Sequence, residues 1–155
     1  AGGYIQGYAD GTFGANKPIT RAEFVCLAAR FATKTTGFAS YTDVDNGHWA
    51  ARSIAICASN GWVQGYEDGT FRPEAPITRA EFTAIALAFA YDPADASCSY
   101  TDVSAGAWYY TYVAQATTYG WIGGYPNGTF RPNNSITRAE VCVIVNNMLG
   151  RAHGL

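Results

Sequence analysis

The sequence predicts an all-α fold made of three helix-turn-helix repeats with short extended turns between the helices, and three observations predict it. The block Ile19-Thr20-Arg21-Ala22-Glu23 returns as Ile77-Thr78-Arg79-Ala80-Glu81 and as Ile136-Thr137-Arg138-Ala139-Glu140, at intervals of 58 and 59 residues. Ahead of each lies a second block in the same register: Gly7-Tyr8-Ala9-Asp10-Gly11-Thr12-Phe13, Gly65-Tyr66-Glu67-Asp68-Gly69-Thr70-Phe71 and Gly124-Tyr125-Pro126-Asn127-Gly128-Thr129-Phe130. A third block, Tyr41-Thr42-Asp43-Val44 with Trp49, recurs as Tyr100-Thr101-Asp102-Val103 with Trp108. These blocks delimit a partial first copy at about 1–37, a second at 38–96 and a third at 97–155, read together as one domain.

Taken in order, the first copy opens at Gly3-Tyr4, which aligns with Gly61-Trp62 and Gly120-Trp121, so about 19 residues of leading helix have no counterpart in it. Two explanations stand: the chain is a fragment of a longer protein, or a partner chain supplies the helix in a head-to-tail contact. The leading helix of a full copy is expected to start after Asp43-Val44, run through Trp49, Ile54 and Cys57, and stop at Gly61 in a left-handed cap, with Trp62 packing back. Asp68-Gly69 and Asn127-Gly128 are tight-turn dipeptides. The second helix begins at the Thr-Arg-Ala-Glu block. Thr78 caps it, Glu81 reaches back to the cap amide, and Ile77 with Phe82 forms a hydrophobic staple. Phe82, Ile85, Ala86 and Phe89 then lie along one apolar stripe. The stretches 33–40 and 91–99 are short enough to be connectors.

Composition narrows the function. With 48% hydrophobic and 14% charged residues among 155, the chain can bury one sizeable core. A net charge of −2 without a basic run excludes nucleic acid or anionic lipid as the main partner, so any anion must be captured locally. No apolar run suits membrane insertion and no secretory leader is seen, which predicts a soluble, processed or excised chain. Cys26, Cys57, Cys98 and Cys142 lack metal-site spacing, and only His48 and His153 could assist, so no metal or cofactor is expected. Cys57 reads as a small buried hydrophobe. Cys98 lies in a loop, and four cysteines allow three disulfide pairings. No nucleophile elbow or phosphate-cradling loop is present, and Glu23, Glu81 and Glu140 are occupied as capping residues, so no catalytic residue is assigned.

Capping and turn chemistry account for most repeated positions, and Trp49 and Trp108 are expected to fill core. The arginines are different: Arg21, Arg79 and Arg138 each occupy the first position of a helix, where the dipole disfavours a cation. Beside free helix amides a guanidinium makes an anion receptor for a carboxylate or phosphate. The competing reading pairs each arginine with Asp43 or Asp102 of the next copy. Tyr8, Tyr66, Tyr125, Trp62 and Trp121 cluster around the turns, where they either pack or offer faces to sugar rings.

These three co-registered blocks resemble the S-layer homology domains that occur in triplets on bacterial surface proteins, and the resemblance covers nearly the whole chain. It implies a pseudo-threefold, three-pronged bundle with grooves between prongs, located outside the cell at the wall or surface layer. It also implies a non-catalytic anchor whose partner is a secondary cell-wall polysaccharide, often pyruvylated. Arg21, Arg79 and Arg138 would then grip a carboxylate, with Asp43, Asp102, Trp49 and Trp108 lining the grooves. The alternative is a self-associating surface-layer or filament protein. Copy one departs from the pattern with Phe13-Gly14-Ala15 where the others have Phe71-Arg72-Pro73 and Phe130-Arg131-Pro132. Its site is expected to be altered, leaving the grooves around copies two and three more competent.

Overall fold

Three helices start where the Thr-Arg-Ala-Glu block places them. The computed structural model describes residues 10–87 and 95–150. Helices α1 (Arg21–Ala28), α3 (Arg79–Ala86) and α5 (Arg138–Met148) follow the N-caps Thr20, Thr78 and Thr137. Each threonine hydroxyl accepts the amide of Glu23, Glu81 or Glu140, and the same glutamate accepts the cap amide in return. α2 (Ala51–Ser59) and α4 (Tyr110–Thr118) precede α3 and α5, and a 3₁₀ turn, Ala29–Phe31, follows α1. Only isolated bridges such as Thr20 with Pro76 occur among the described residues, so the fold is all-α.

α2 and α4 end as the glycines dictate. Gly61 at φ 74° donates to the Ala58 carbonyl while Trp62 donates to Cys57, and Gly120 with Trp121 repeats this on Thr117 and Ala116. Both are the 6→1 and 5→2 bonds of a Schellman cap. Their starts differ from expectation. Residues 45–50 form a turn, in which Asp45 accepts the Gly47 amide and His48 Nδ1 accepts the Ala50 amide, so α2 begins only at Ala51. Asp45-Asn46-Gly47 is turn-forming chemistry that outweighs the helical spacing behind it. Trp49 therefore sits ahead of the helix and is 62% exposed; Trp108 is 63% exposed, and neither fills core.

The chain divides into two compact units, residues 1–14 with 18–77 and residues 15–17 with 78–155. In the first, α1 packs on α2 around Ile19, Phe24, Val25, Ile54, Cys57 and Phe71. In the second, α3 packs on α4, and Phe82, Val113, Phe130, Ile136 and Val141 are buried. Burial of each such large side chain contributes roughly 1.5–3 kcal/mol. Phe71 and Phe130 of the Gly-Thr-Phe blocks are thus core residues, held under the rings of Tyr41 and Tyr100 at 5.3 and 5.4 Å, whereas Phe13 of copy one is exposed. Gly3, Tyr4, Gly7, Tyr8, Ala9, Phe89, Tyr91 and His153 lie outside the described residues.

Candidate functional site

The first-position arginines are nearly buried, at 7%, 5% and 3% exposure for Arg21, Arg79 and Arg138. Burying a guanidinium is costly unless its donors are matched. Arg21 Nε donates to the Phe71 carbonyl at 3.0 Å and its Nη2 to Gln64 at 2.8 Å; Arg79 Nε donates to Phe130 at 2.8 Å. Arg79 also pairs through Nη1 with Glu140. The cations lie over aromatic faces, Arg21 over Tyr66 and Phe71, Arg79 over Tyr125 and Phe130, at 4.6–5.0 Å.

The helix amides expected to stand free are taken. Arg21 and Ala22 donate to the carbonyls of Ala75 and Pro73, Arg79 and Ala80 to Asn134 and Pro132, and Arg138 and Ala139 to Lys17 and Ala15. Each helix start therefore borrows its acceptors from the segment following another copy's turn. This leaves no bare amide cluster for an anion and corrects that expectation. Arg21 and Arg79 do reach into the following copy, but not to Asp43 or Asp102. Those carboxylates instead clamp the turn: Asp43 accepts the Phe71 and Arg72 amides, and Asp102 the Phe130 and Arg131 amides, all at 2.8 Å. Desolvation acts to raise both carboxyl pKa values, yet the two accepted amides outweigh it and hold each below the ordinary carboxylate range.

In the second unit these parts surround an open groove of about 530 Å³, within the size range of ligand sites. Arg79, Trp121, Tyr125 and Glu140 line it with Gly124, Val143, Asn16 and Asn147. The Glu140 carboxylate joins the walls: Oε2 takes Arg79 and, at 3.5 Å, the Tyr125 hydroxyl, while Oε1 takes the Thr137 hydroxyl at 3.1 Å. Gly124 is fixed sterically, because a Cβ there would lie 2.4 Å from Tyr100 Cε1 and 2.7 Å from the Thr129 carbonyl. The groove thus offers aromatic faces, amide side chains and one internally neutralised ion pair. Of the other expected site residues, Arg138, Asp102 and Trp108 do not line it. In the first unit Arg21 and Tyr66 stack together, Asp43 sits under the turn, Trp62 is partly buried and Trp49 is exposed beside His48 at 5.6 Å.

Two residues went unassigned in the sequence reading. Arg72 and Arg131 adopt φ 58° and 59°, the left-handed region, at the position where copy one has Gly14 at φ 66°. A side chain there costs roughly 1–2 kcal/mol, and the Asp43 and Asp102 clamps hold the strained peptides in place. Both residues are exposed and their guanidinium groups lie over tyrosine, Arg72 over Tyr66 at 3.7 Å and Arg131 over Tyr125 at 3.9 Å. The glycine of copy one was the available signal, since it marks the turn as one that suits glycine best.

No cluster of His, Cys, Asp and Glu able to hold a metal occurs among the described residues, and all four cysteines are free thiols. None of the described helices is long and apolar enough to cross a membrane.

Known proteins share this repeat pattern. A family model described as "S-layer homology domain" matches residues 1–25, 40–83 and 99–142. "Cell surface glycoprotein 1" of Acetivibrio thermocellus is 37% identical over 96% of this chain and 7% of its own length. "Cellulosome-anchoring protein" of the same organism is 34% identical over 96% of this chain and 36% of its own length. "Amylopullulanase" of Thermoanaerobacterium thermosulfurigenes is 32% identical over 96% of this chain and 8% of its length. The chain spans a minor part of each of these relatives.

Proposed function

The chain belongs to the S-layer homology domain family, a bacterial cell-surface module, and from that premise we propose that it is a non-catalytic anchor that binds a secondary cell-wall polysaccharide carrying pyruvate ketals. The observation that carries this reading is the second unit's groove, where Trp121 and Tyr125 offer ring faces beside the hydrogen-bonding groups of Glu140, Asn16 and Asn147. Sugars present apolar ring faces and a fringe of hydroxyls, and this lining matches both. The varied relatives support an anchoring role as well, since one matching segment occurs in a protein named for anchoring and another in a protein named as an enzyme. A module attached to such different bodies serves them best by placing them. Arg79 shapes the wall of this groove in this reading, while in the first unit Arg21 stacks on Tyr66, and Trp49 and Trp108 are exposed in their own units as further aromatic faces for sugar.

Titration calorimetry of the chain with purified pyruvylated wall polysaccharide tests this. Saturable binding that weakens when Trp121 or Tyr125 is changed to alanine is expected. Absence of heat at any polymer concentration, with the fold intact by circular dichroism, would overturn it.

A further inference from the structure

Resting on that reading of the groove, we propose that Arg131, stacked on Tyr125 at the third copy's turn, is the cation that selects an anionic substituent of the bound polymer, and that the equivalent Arg72 is silenced. Four observations support it. Arg79 within the groove is already matched by Glu140 and the Phe130 carbonyl, so an incoming carboxylate would have to displace an existing partner. Arg131 differs: among the described residues no hydrogen bond reaches its guanidinium and no carboxylate oxygen lies within 4.0 Å. Its guanidinium lies over the ring of Tyr125, which lines the groove, and its charge acts on the Asp102 carboxylate through space without a hydrogen bond to it. The Asp102 carboxylate beside it is spent on the Phe130 and Arg131 amides.

The second observation is the backbone. Arg131 occupies a left-handed position that copy one fills with Gly14, so this turn keeps a long cationic side chain against its own conformational preference. Third, Arg72 has the same backbone and the same tyrosine stack, yet its Nη2 meets Asp68 Oδ2 at 3.3 Å. The residue matching Asp68 is Asn127.

Fourth, Asp68 and Asn127 do the same turn work. Asp68 Oδ1 accepts the Thr70 amide and hydroxyl at 3.0 and 2.6 Å, and Asn127 Oδ1 accepts those of Thr129 at 3.2 and 2.6 Å. Turn formation thus accepts either residue, and the difference falls on the second side-chain atom. An oxygen there neutralises the arginine; an amide nitrogen, being only a donor, leaves it available. A guanidinium held on a ring face, with its in-plane donors open, matches a carboxylate in two-point geometry.

The experiment compares wild type, Arg131→Gly and Asn127→Asp by calorimetry against pyruvylated wall polysaccharide and against the same polymer after carboxyl reduction. Wild type is expected to bind the native polymer about tenfold more tightly than the reduced one, the strength of one charge-assisted hydrogen bond. Both variants are expected to lose that preference while binding the reduced polymer as wild type does. Arg131→Gly copies the glycine of the first turn and Asn127→Asp copies the second, so both should melt at or above the wild-type temperature. Equal wild-type binding of both polymers, or unchanged preference in the variants, overturns the assignment and leaves polymer binding standing. If wild type binds neither polymer, the anchor reading fails as well.

Discussion

Replacing Arg79 with methionine separates a structural arginine from a purely ligand-gripping one. The side chain is 6% exposed, and the substitution removes a charge-assisted bond to the Phe130 carbonyl, worth about 1.5–3 kcal/mol. It also leaves Glu140 without its cation. A fully buried orphan would cost about 3–5 kcal/mol, but the Glu140 side chain is 31% exposed and turns partly to water, so about 1–2 kcal/mol is the fitting share. Methionine keeps sulfur contacts to Tyr125 and Phe130, which offsets part of the lost cation–π attraction. The sum is about 3–4 kcal/mol, or a fall of about 10 °C in melting temperature for a chain of this length. Thermal unfolding followed by circular dichroism without ligand measures it. Adding Glu140→Gln should cost less in the methionine background than in wild type, by about 1–2 kcal/mol. A fall under about 3 °C, or simple additivity of the two changes, would refute the view that this arginine holds the unit together.

Further outcomes follow from the same geometry. Gly124→Ala, whose Cβ would press into Tyr100 and the Thr129 carbonyl, should destabilise by about 2–3 kcal/mol, whereas Gly128→Ala, strained only by φ 83° with its nearest neighbour at 4.0 Å, should cost about 1 kcal/mol; urea unfolding compares them. Asp43 and Asp102 have folded pKa values below the unfolded one, so their contribution is complete above about pH 4 and is lost as pH falls through the lower folded values. Asp43→Asn with Asp102→Asn should flatten the acid limb of a stability–pH curve, and a curve unchanged in shape would count against the clamp. Burial, with Cys26 adding to it, pushes the Cys57 thiol up to about 12, so iodoacetamide at pH 8 should leave Cys57 unmodified in the folded chain and alkylate it in denaturant, as read by peptide mass spectrometry.

The features legible in the sequence were those encoded within a few residues. Thr20, Thr78 and Thr137 carry capping boxes whose partners lie three positions away, and Gly61 and Gly120 end helices by bonds that span five. The tight turns at Asp68-Gly69 and Asn127-Gly128 belong to the same class. What escaped was settled at long range or by competition. The amides of Arg21 and Ala22 looked free because their acceptors, Ala75 and Pro73, lie more than fifty residues on. Trp49 looked like core because it was placed within the helix that carries Ile54 and Cys57, but the Asp45 turn stops the helix short of it. Of the site, Arg79, Trp121 and Tyr125 were legible as recurring positions, while the unusual backbone of Arg131 showed only as a glycine elsewhere in the repeat.

The start of α5 has a consequence for when the second unit can finish folding. Its first two amides find their acceptors at Lys17 and Ala15, about 120 residues earlier in the chain. A ribosome delivers those acceptors about 120 residues before the donors, so the unit has to wait for α5 before this closure forms. The entropy of such a large loop grows only logarithmically with length, so the delay shows chiefly in time. Chains caught before α5 emerges hold an unmatched segment at residues 15–17, which makes completion of α5 a checkpoint on this unit.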